Sequence, residues 1–475
     1  MKKRIEHDSM GEIEVACDRL WGAQTQRSFE NFPQGLKLMP KDQIYALILV
    51  KKAAAIVNES QGKLDNKRKE AIVGACDRLL AGGYEDHFPL TVYQTGSGTQ
   101  TNMNVNEVIA HLANEILGKD LIHPNDHVNM SQSTNDSFPT AMHIASLLAI
   151  RDKLLPEIEN LGEAFKKKAE EFEGIIKTGR THLQDATPLA LSDEIKTHSD
   201  LILRDGAYIK ESAKALEKLA IGGTAVGTGL NTKEGYDKEM ARLLSEFTGL
   251  DLEADPNKFL QLSSKGGLAR THGAIKILAS NLLKIAEDIR FLSSGPRTGI
   301  GELIIPANEP GSSIMPGKVN PTQVEMLSMI CLEVMANDQA ITMANSLGQL
   351  ELNAYMPLII SKTLESIDIL AGGIHSFNIH LVQGLVANEE KIKENLEKSL
   401  MIVTSLSPFI GYEKAAELAK FAHKKGISLR AANKELAYVS DEEFIKIVDP
   451  KKMIWEEEWT SQLKILISTI DFKKP

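Results

Sequence analysis

The sequence predicts a mainly helical protein built on long helices. Aromatic residues are only 5% of the chain, while Leu, Ala, Ile and Met are plentiful, which favours helix packing over a β-sandwich. Apolar residues recur at steps of three and four over unusually long stretches. No repeat with a period of 20–50 residues runs through the chain, so a solenoid is excluded.

Taken in order, the first 138 residues mix shorter helices with loops rich in Gly, Asn and Thr. A helix is expected at Pro139, after a polar turn. Ile144, Leu147, Leu148, Leu154, Leu155, Ile158, Leu161, Phe165, Ala169 and Phe172 then form one stripe, which Pro156 should kink or restart. Ile195, Ile202, Ile209 and Leu216 form a second at sevenfold spacing, with Leu219 three residues on and Pro188 suited to its first turn. Ile275, Leu278, Leu282, Ile285, Ile289 and Leu292 form a third. Residues 322–347 and 354–385 read as two more helices, the latter kinked near Pro357. Five helices of about 25–30 residues would each run about 40 Å. The expected fold is all-α: an N-terminal domain over 1–138, a central five-helix bundle over 139–390, and a small helical domain over 391–475 that includes an amphipathic helix from Glu413 to Lys425. Seams that are apolar on more than one side point to an oligomer.

Composition narrows the function. The chain carries 54 basic and 64 acidic residues, a net charge of −10, which argues against a general nucleic-acid binder. An anionic substrate stays compatible, because a local pocket can oppose the global sign. Cys17, Cys76 and Cys331 are scattered singly, so no zinc ribbon or thioredoxin-like motif is present, and the thiols suit a reducing cytosol. The N-terminus lacks an apolar core for a signal peptide, and the most apolar uncharged stretch, 369–388, holds two histidines, two asparagines and a glutamine. A cytoplasmic protein without a membrane span is expected.

Five polar, glycine-rich segments interrupt the helices, the usual home of a site. Gln94 to Asn106 is uncharged and dense in neutral donors, which suits a carboxylate or a helix cap. His123 to Pro139 opens with two histidines four apart, but Pro124 biases His123 away from helical geometry and so away from a shared metal. Its later part, Ser131-Gln-Ser-Thr-Asn135, is again a neutral donor set. Gly179 to Pro188 carries His182, a group suited to proton transfer or to a structural hydrogen bond, with Arg180 and Asp185 placed to pair. Gly222 to Gly229 looks like a nucleotide loop only superficially, since no strand is expected before it in a βαβ unit. Gly311 to Glu325 is not a phosphate loop either. Five residues, not four, separate Gly311 from Gly317-Lys318, and Val319 follows. It offers Ser312, Ser313 and Lys318 before a helix starting at Pro321, with Glu325 on that helix's first turns.

Gly311-Ser-Ser-Ile-Met-Pro-Gly-Lys-Val-Asn320 resembles the signature of the aspartase/fumarase superfamily. Gly96 to Asn104, His123 to Asn129, Gly179 to Pro188 and Asn308 to Gly311 narrow the resemblance to class II fumarases. It covers nearly the whole chain, from Asp8-Ser-Met-Gly11 to Pro408-Phe-Ile-Gly-Tyr412, and only the residues from Trp455 look longer than the family runs. Aspartate ammonia-lyases typically carry glutamine where this chain has His182.

The resemblance implies reversible anti addition of water to fumarate, giving (S)-malate through an aci-carboxylate, with no metal and no organic cofactor. It implies Ser312 as carbon base, and His182 paired with Glu325 as the group handling water; an older alternative gives the carbon base to His182. Ser97, Gly98, Thr99, Ser133, Thr134, Asn135, Thr181, Ser313, Lys318, Val319 and Asn320 match its substrate-binding positions. Fumarases frequently carry serine at the position of Thr134. His123, Pro124, Asn125 and Asp126 match a second anion site. The implied partners are fumarate and malate, and the implied assembly is a homotetramer whose active sites are shared by three subunits. The loop from Gly311 to Gly317 is expected to move over substrate. An aspartate ammonia-lyase and a non-catalytic protein on the same scaffold are the alternative readings.

Overall fold

A computed structural model describes residues 2–32, 35 and 37–454; the segment from Trp455 lies outside the described residues. In chain order it begins with the strands β1 (Lys3–Asp8) and β2 (Gly11–Ala16) and the helices α1 (Ala23–Asn31), α2 (Lys41–Ser60), α3 (Asn66–Leu80) and α4 (Thr99–Leu117). Next come α5 (Thr134–Ala149), α6 (Leu155–Glu171), β3 (Ile176–Thr181), β4 (Gln184–Ala190) and α7 (Leu191–Ala213). Then follow β5 (Lys218–Leu219), α8 (Tyr236–Thr248), β6 (Glu253–Ala254), α9 (Lys258–Ser263) and α10 (Gly266–Leu292). The last part holds β7 (Leu303–Ile304), α11 (Thr322–Ser346), α12 (Met356–Phe377), β8 (Val386–Ala387), α13 (Glu389–Lys398), α14 (Ser407–Ile410), α15 (Tyr412–Lys425), α16 (Leu429–Leu436) and α17 (Asp441–Ile447). The strands form four two-stranded sheets, all antiparallel except β5 with β6.

The apolar stripes become helix cores. Ile195, Ile202 and Ile209 are fully buried on α7, as are Ile275, Leu278, Leu282, Ile285 and Ile289 on α10; Leu216 and Leu219, expected to continue the α7 stripe, are equally buried but lie past its end, Leu219 in β5. Between α5 and α6 the chain makes one π-helical turn, Ile150–Leu154, and Pro156 is the second residue of the restarted helix. The backbone stays helical through the join, with the Leu155 N–H donating to the Ile150 carbonyl, and the wider turn makes room for the Pro156 ring.

Two helix starts and one kink differ from expectation. The helix expected at Pro139 begins at Thr134, because Ser133 and Asp136 form a capping box five residues earlier. Pro188 lies in β4, paired with Thr178, not in the first turn of α7. Pro357 is the second residue of α12, a position that produces no kink.

The chain divides into two compact units. The first comprises Met1–Glu159, Ile202–Leu283 and Met326–His375; the second comprises Asn160–Leu201, Lys284–Glu325 and Ser376–Pro475. Each is assembled from three separate stretches, a grouping invisible in sequence order. Among the described residues no helix is long and apolar enough to cross a membrane.

Candidate active site

In the first unit, residues 97–99 form the entrance to α4. Gly98 precedes the helix with φ 76°, and a Cβ there would lie 2.4 Å from the Phe138 ring. That backbone conformation and that contact both require glycine. Ser97 and Thr99 share a hydrogen bond between their hydroxyls at 2.7 Å. Gln94 Oε1 accepts from the Thr101 N–H and hydroxyl at 3.0 and 2.9 Å, tying the loop to its helix.

The Ser133–Asn135 turn is attached to the same helix by a buried polar network. Asn102 Nδ2 donates to Thr134 Oγ1 at 3.0 Å and to Asn129 Oδ1 at 3.2 Å. Asn129 Oδ1 also accepts from Asn106 Nδ2 at 3.2 Å and from Lys51 Nζ at 2.9 Å. Lys51 makes a second bond to Gln132 Oε1 at 3.0 Å. Burial pulls the Lys51 ammonium down to about 7, against the attraction of Asp136. Sequence reasoning missed Lys51, Asn102 and Asn129. The available signal for Lys51 was a cation in the apolar stripe Leu47, Lys51, Ala54 of α2, all buried.

His123 and its neighbours form a π-helical turn over Pro124–Val128. His123 Nδ1 accepts the Asp126 N–H at 3.3 Å, and the His123 N–H donates to His127 Nδ1 at 2.8 Å. The two rings therefore serve the backbone of their own turn. A cavity of about 360 Å³ runs beside this turn. Asn125, Asp126, Asn129, Ser133, Thr224 and Lys63 are among its lining residues. Lys63, also missed, donates to Ser131 Oγ at 2.8 Å, and burial lowers its ammonium from the usual lysine range.

In the second unit, His182 and Leu183 form the two-residue turn of the β3–β4 hairpin. Both have positive φ, 56° and 58°, in a position where Asn-Gly is the usual choice. Thr181 and His182 are exposed at its tip. Arg180 does not pair with Asp185. Its guanidinium grips the fully buried Glu302 with two bonds of 2.9 and 2.7 Å, because that carboxylate lies beneath the hairpin and Asp185 points to solvent. Lys177 adds a contact to Glu302 at 3.4 Å, and Asn395 Nδ2 donates to it at 3.0 Å.

The serine loop also belongs to the second unit. It is closed at its base by the Gly311 N–H on the Lys318 carbonyl at 3.0 Å and by Asn320 Nδ2 on the Gly311 carbonyl at 2.5 Å. A Cβ at residue 311 would lie 2.3 Å from that Lys318 oxygen, so only glycine allows the closure. Ser312 Oγ receives the N–H groups of Ile314 and Met315 at 3.2 and 3.0 Å. Ser313, Lys318 and Val319 are exposed, and Ile314 at the crest is 83% exposed. Glu325 is exposed on the first turn of α11, and among the described residues no hydrogen bond or ion pair joins it to His182.

The loop Gly222–Gly229 corrects the expectation that no strand precedes it. β5, α8 and β6 make a minimal βαβ unit. The strands have two residues each, however, and two of the loop's N–H groups are turned onto a carboxylate of the protein itself. Gly222 and Thr224 donate to Asp136 Oδ2 at 3.0 and 2.9 Å, so a protein carboxylate fills the place where a phosphate would sit.

Comparison with known proteins agrees with this arrangement. Residues 11–336 match the family described as Lyase, and residues 402–455 match the Fumarase C C-terminus. The fold is that of the aspartase/fumarase superfamily. The class II fumarate hydratase of Campylobacter jejuni is 55% identical over 96% of this chain and 99% of its own length, and that of Helicobacter pylori is 54% identical over the same shares. The crystal structure of class II fumarase from Schistosoma mansoni superimposes with a TM-score of 0.93 at 41% identity, covering 95% of this chain and 99% of that one. The chain belongs to the class II fumarate hydratases, which are hydro-lyases.

Proposed function

We propose that this chain catalyses the reversible anti addition of water to fumarate, giving (S)-malate, as a cytoplasmic homotetramer needing neither metal nor organic cofactor. The observation that carries the reading is the serine loop. Ser312 is a weak base at neutral pH, and two backbone N–H groups already point at its oxygen. They are oriented to stabilise an alkoxide, which is what abstraction of the C3 proton requires. Lys318, Asn320 and the neutral donors Ser97, Thr99, Ser133, Thr134, Asn135, Thr181 and Ser313, with Gly98 and Val319 in the same segments, supply the one cation and the hydrogen-bond donors that a dianion calls for. Developing charge on the aci-carboxylate is the main barrier, and each well-placed donor contributes about 3–4 kcal/mol.

His182 takes the role of handling water, with Glu325 orienting its ring. Both are exposed and unpaired with each other in the single chain, which supports a site completed by other subunits. So do the exposed apolar residues Ile277, Met329, Leu332 and Met343 on α10 and α11. We retain 1–138, 139–390 and 391–475 as the proposed domain organisation, and His123–Asp126 as a proposed second anion site.

The test is the loss of fumarate's ultraviolet absorbance with EDTA-treated protein. Wild type is expected to turn over, and Ser312→Ala to lose at least about 10³-fold in kcat. Silence on fumarate with ammonia release from aspartate would replace this reading with the amino-acid lyase. Silence on both substrates would leave a binding scaffold.

A further inference from the structure

We infer that Asp136 is a positioning residue for the substrate site, locking loop 222–229 against the Ser133–Asn135 turn. This rests on the reading of that turn as substrate-binding. Asp136 is fully buried, yet its carboxylate is held by three backbone donors. Oδ1 accepts the Ser133 N–H at 2.9 Å, which is the ordinary capping bond of α5. Oδ2 accepts from Gly222 and Thr224 at 3.0 and 2.9 Å, across 86 and 88 residues of sequence. Helix capping does not need those two bonds. Asn135 Nδ2 adds a fourth link, to the Ala225 carbonyl at 2.8 Å.

The loop is held in a conformation it would not adopt alone. Thr224 has φ 54°, an outlier for a β-branched side chain, and such strain persists only where surrounding bonds over-determine it. Thr224 and Ala225 line the same cavity as Ser133, so the clamp joins two walls of one pocket. Three converging N–H groups require a group that only accepts. Asparagine at 136 would turn its amide hydrogens against one of them.

Asp136→Asn weakens the clamp from the helix side. Gly222→Ala does so from the loop side, because it adds a Cβ 2.5 Å from Asp237 Cβ at a position with φ 87°. The full-length wild type, both single variants and the double variant are assayed with fumarate. Hydrogen exchange is followed in peptides covering 131–137 and 220–229.

Each single variant is expected to raise KM by on the order of tenfold, with kcat changed far less, since misplaced binding groups weaken ground state and transition state alike. The double variant is expected to be no worse than either single, and the two peptides to gain exchange together. A merely structural role would instead lower the active fraction, and with it kcat, at unchanged KM. Unchanged KM in both single variants overturns the inference, as do multiplying effects in the double or a gain of exchange in one peptide alone. Should Asp136→Asn not fold, Gly222→Ala carries the same test. Wild-type turnover separately decides the fumarate reading: failure there removes the substrate role, while joint exchange still reports the clamp.

Discussion

Glu302 shows how much one side chain can hold. It is fully buried, and Arg180, Lys177 and Asn395 all converge on it. Removing it leaves the part-buried Arg180 guanidinium and the buried Lys177 ammonium without their shared carboxylate, directly before Thr181 and His182. Glu302→Ala is therefore expected to cost about 3–5 kcal/mol in urea unfolding and to lower kcat through loss of the hairpin's orientation. A cost below 1 kcal/mol would mean that water solvates Arg180 in its place. Residues of this kind were poorly legible. No motif marks the long-range partners of Glu302, Asp136 and Lys51, which are 122, 86 and 78 residues away. Ser312, His182 and Lys318 could be singled out because each lies in a contiguous motif.

At the scale of elements, the approach of α4's entrance to Phe138 leaves no room for a methyl group. Gly98→Ala is expected to destabilise by about 2 kcal/mol or more, from the positive φ and the overlap together, and to displace Ser97 and Thr99. A melting temperature within a degree of wild type would contradict this. The stripe of α7 makes a second prediction. Ile209 is fully buried, and Ile209→Ala should cost about 2–5 kcal/mol, read as a lower urea midpoint with unchanged slope. Helix bodies were legible from periodicity, whereas their starts were not. Capping at Ser133 set the start of α5, and β3–β4 pairing claimed Pro188.

For the whole molecule, buried histidines set the acid limit. His143 and His198 are both pushed down to about 4 by burial, from an ordinary 6.5. Between those values the unfolded chain binds protons that the folded chain does not, so stability is lost as pH falls through the window. Asp136 opposes this: burial lifts it to about 6 from 3.8, so the folded chain binds the extra proton there. Burial also lowers His87, His111 and His127 and raises Glu107, Asp205 and Glu217; the five shifted histidines outnumber the four raised carboxylates, and the urea midpoint is expected to fall between pH 7 and pH 5. His198→Leu should flatten that fall; an equal fall in the variant would show that His198 is not among its causes.

By itself the sequence determined the helical class, the long seams and the signature loop, because periodicity and contiguous motifs are local properties that survive in one dimension. Only the tertiary structure decided which polar groups are buried, and so which charges matter. It turned Arg180 from Asp185 to Glu302, filled the Gly222–Gly229 loop with Asp136, and placed Lys51 under the Ser133–Asn135 turn. Burial and long-range pairing depend on distant segments meeting, and no local pattern encodes that meeting.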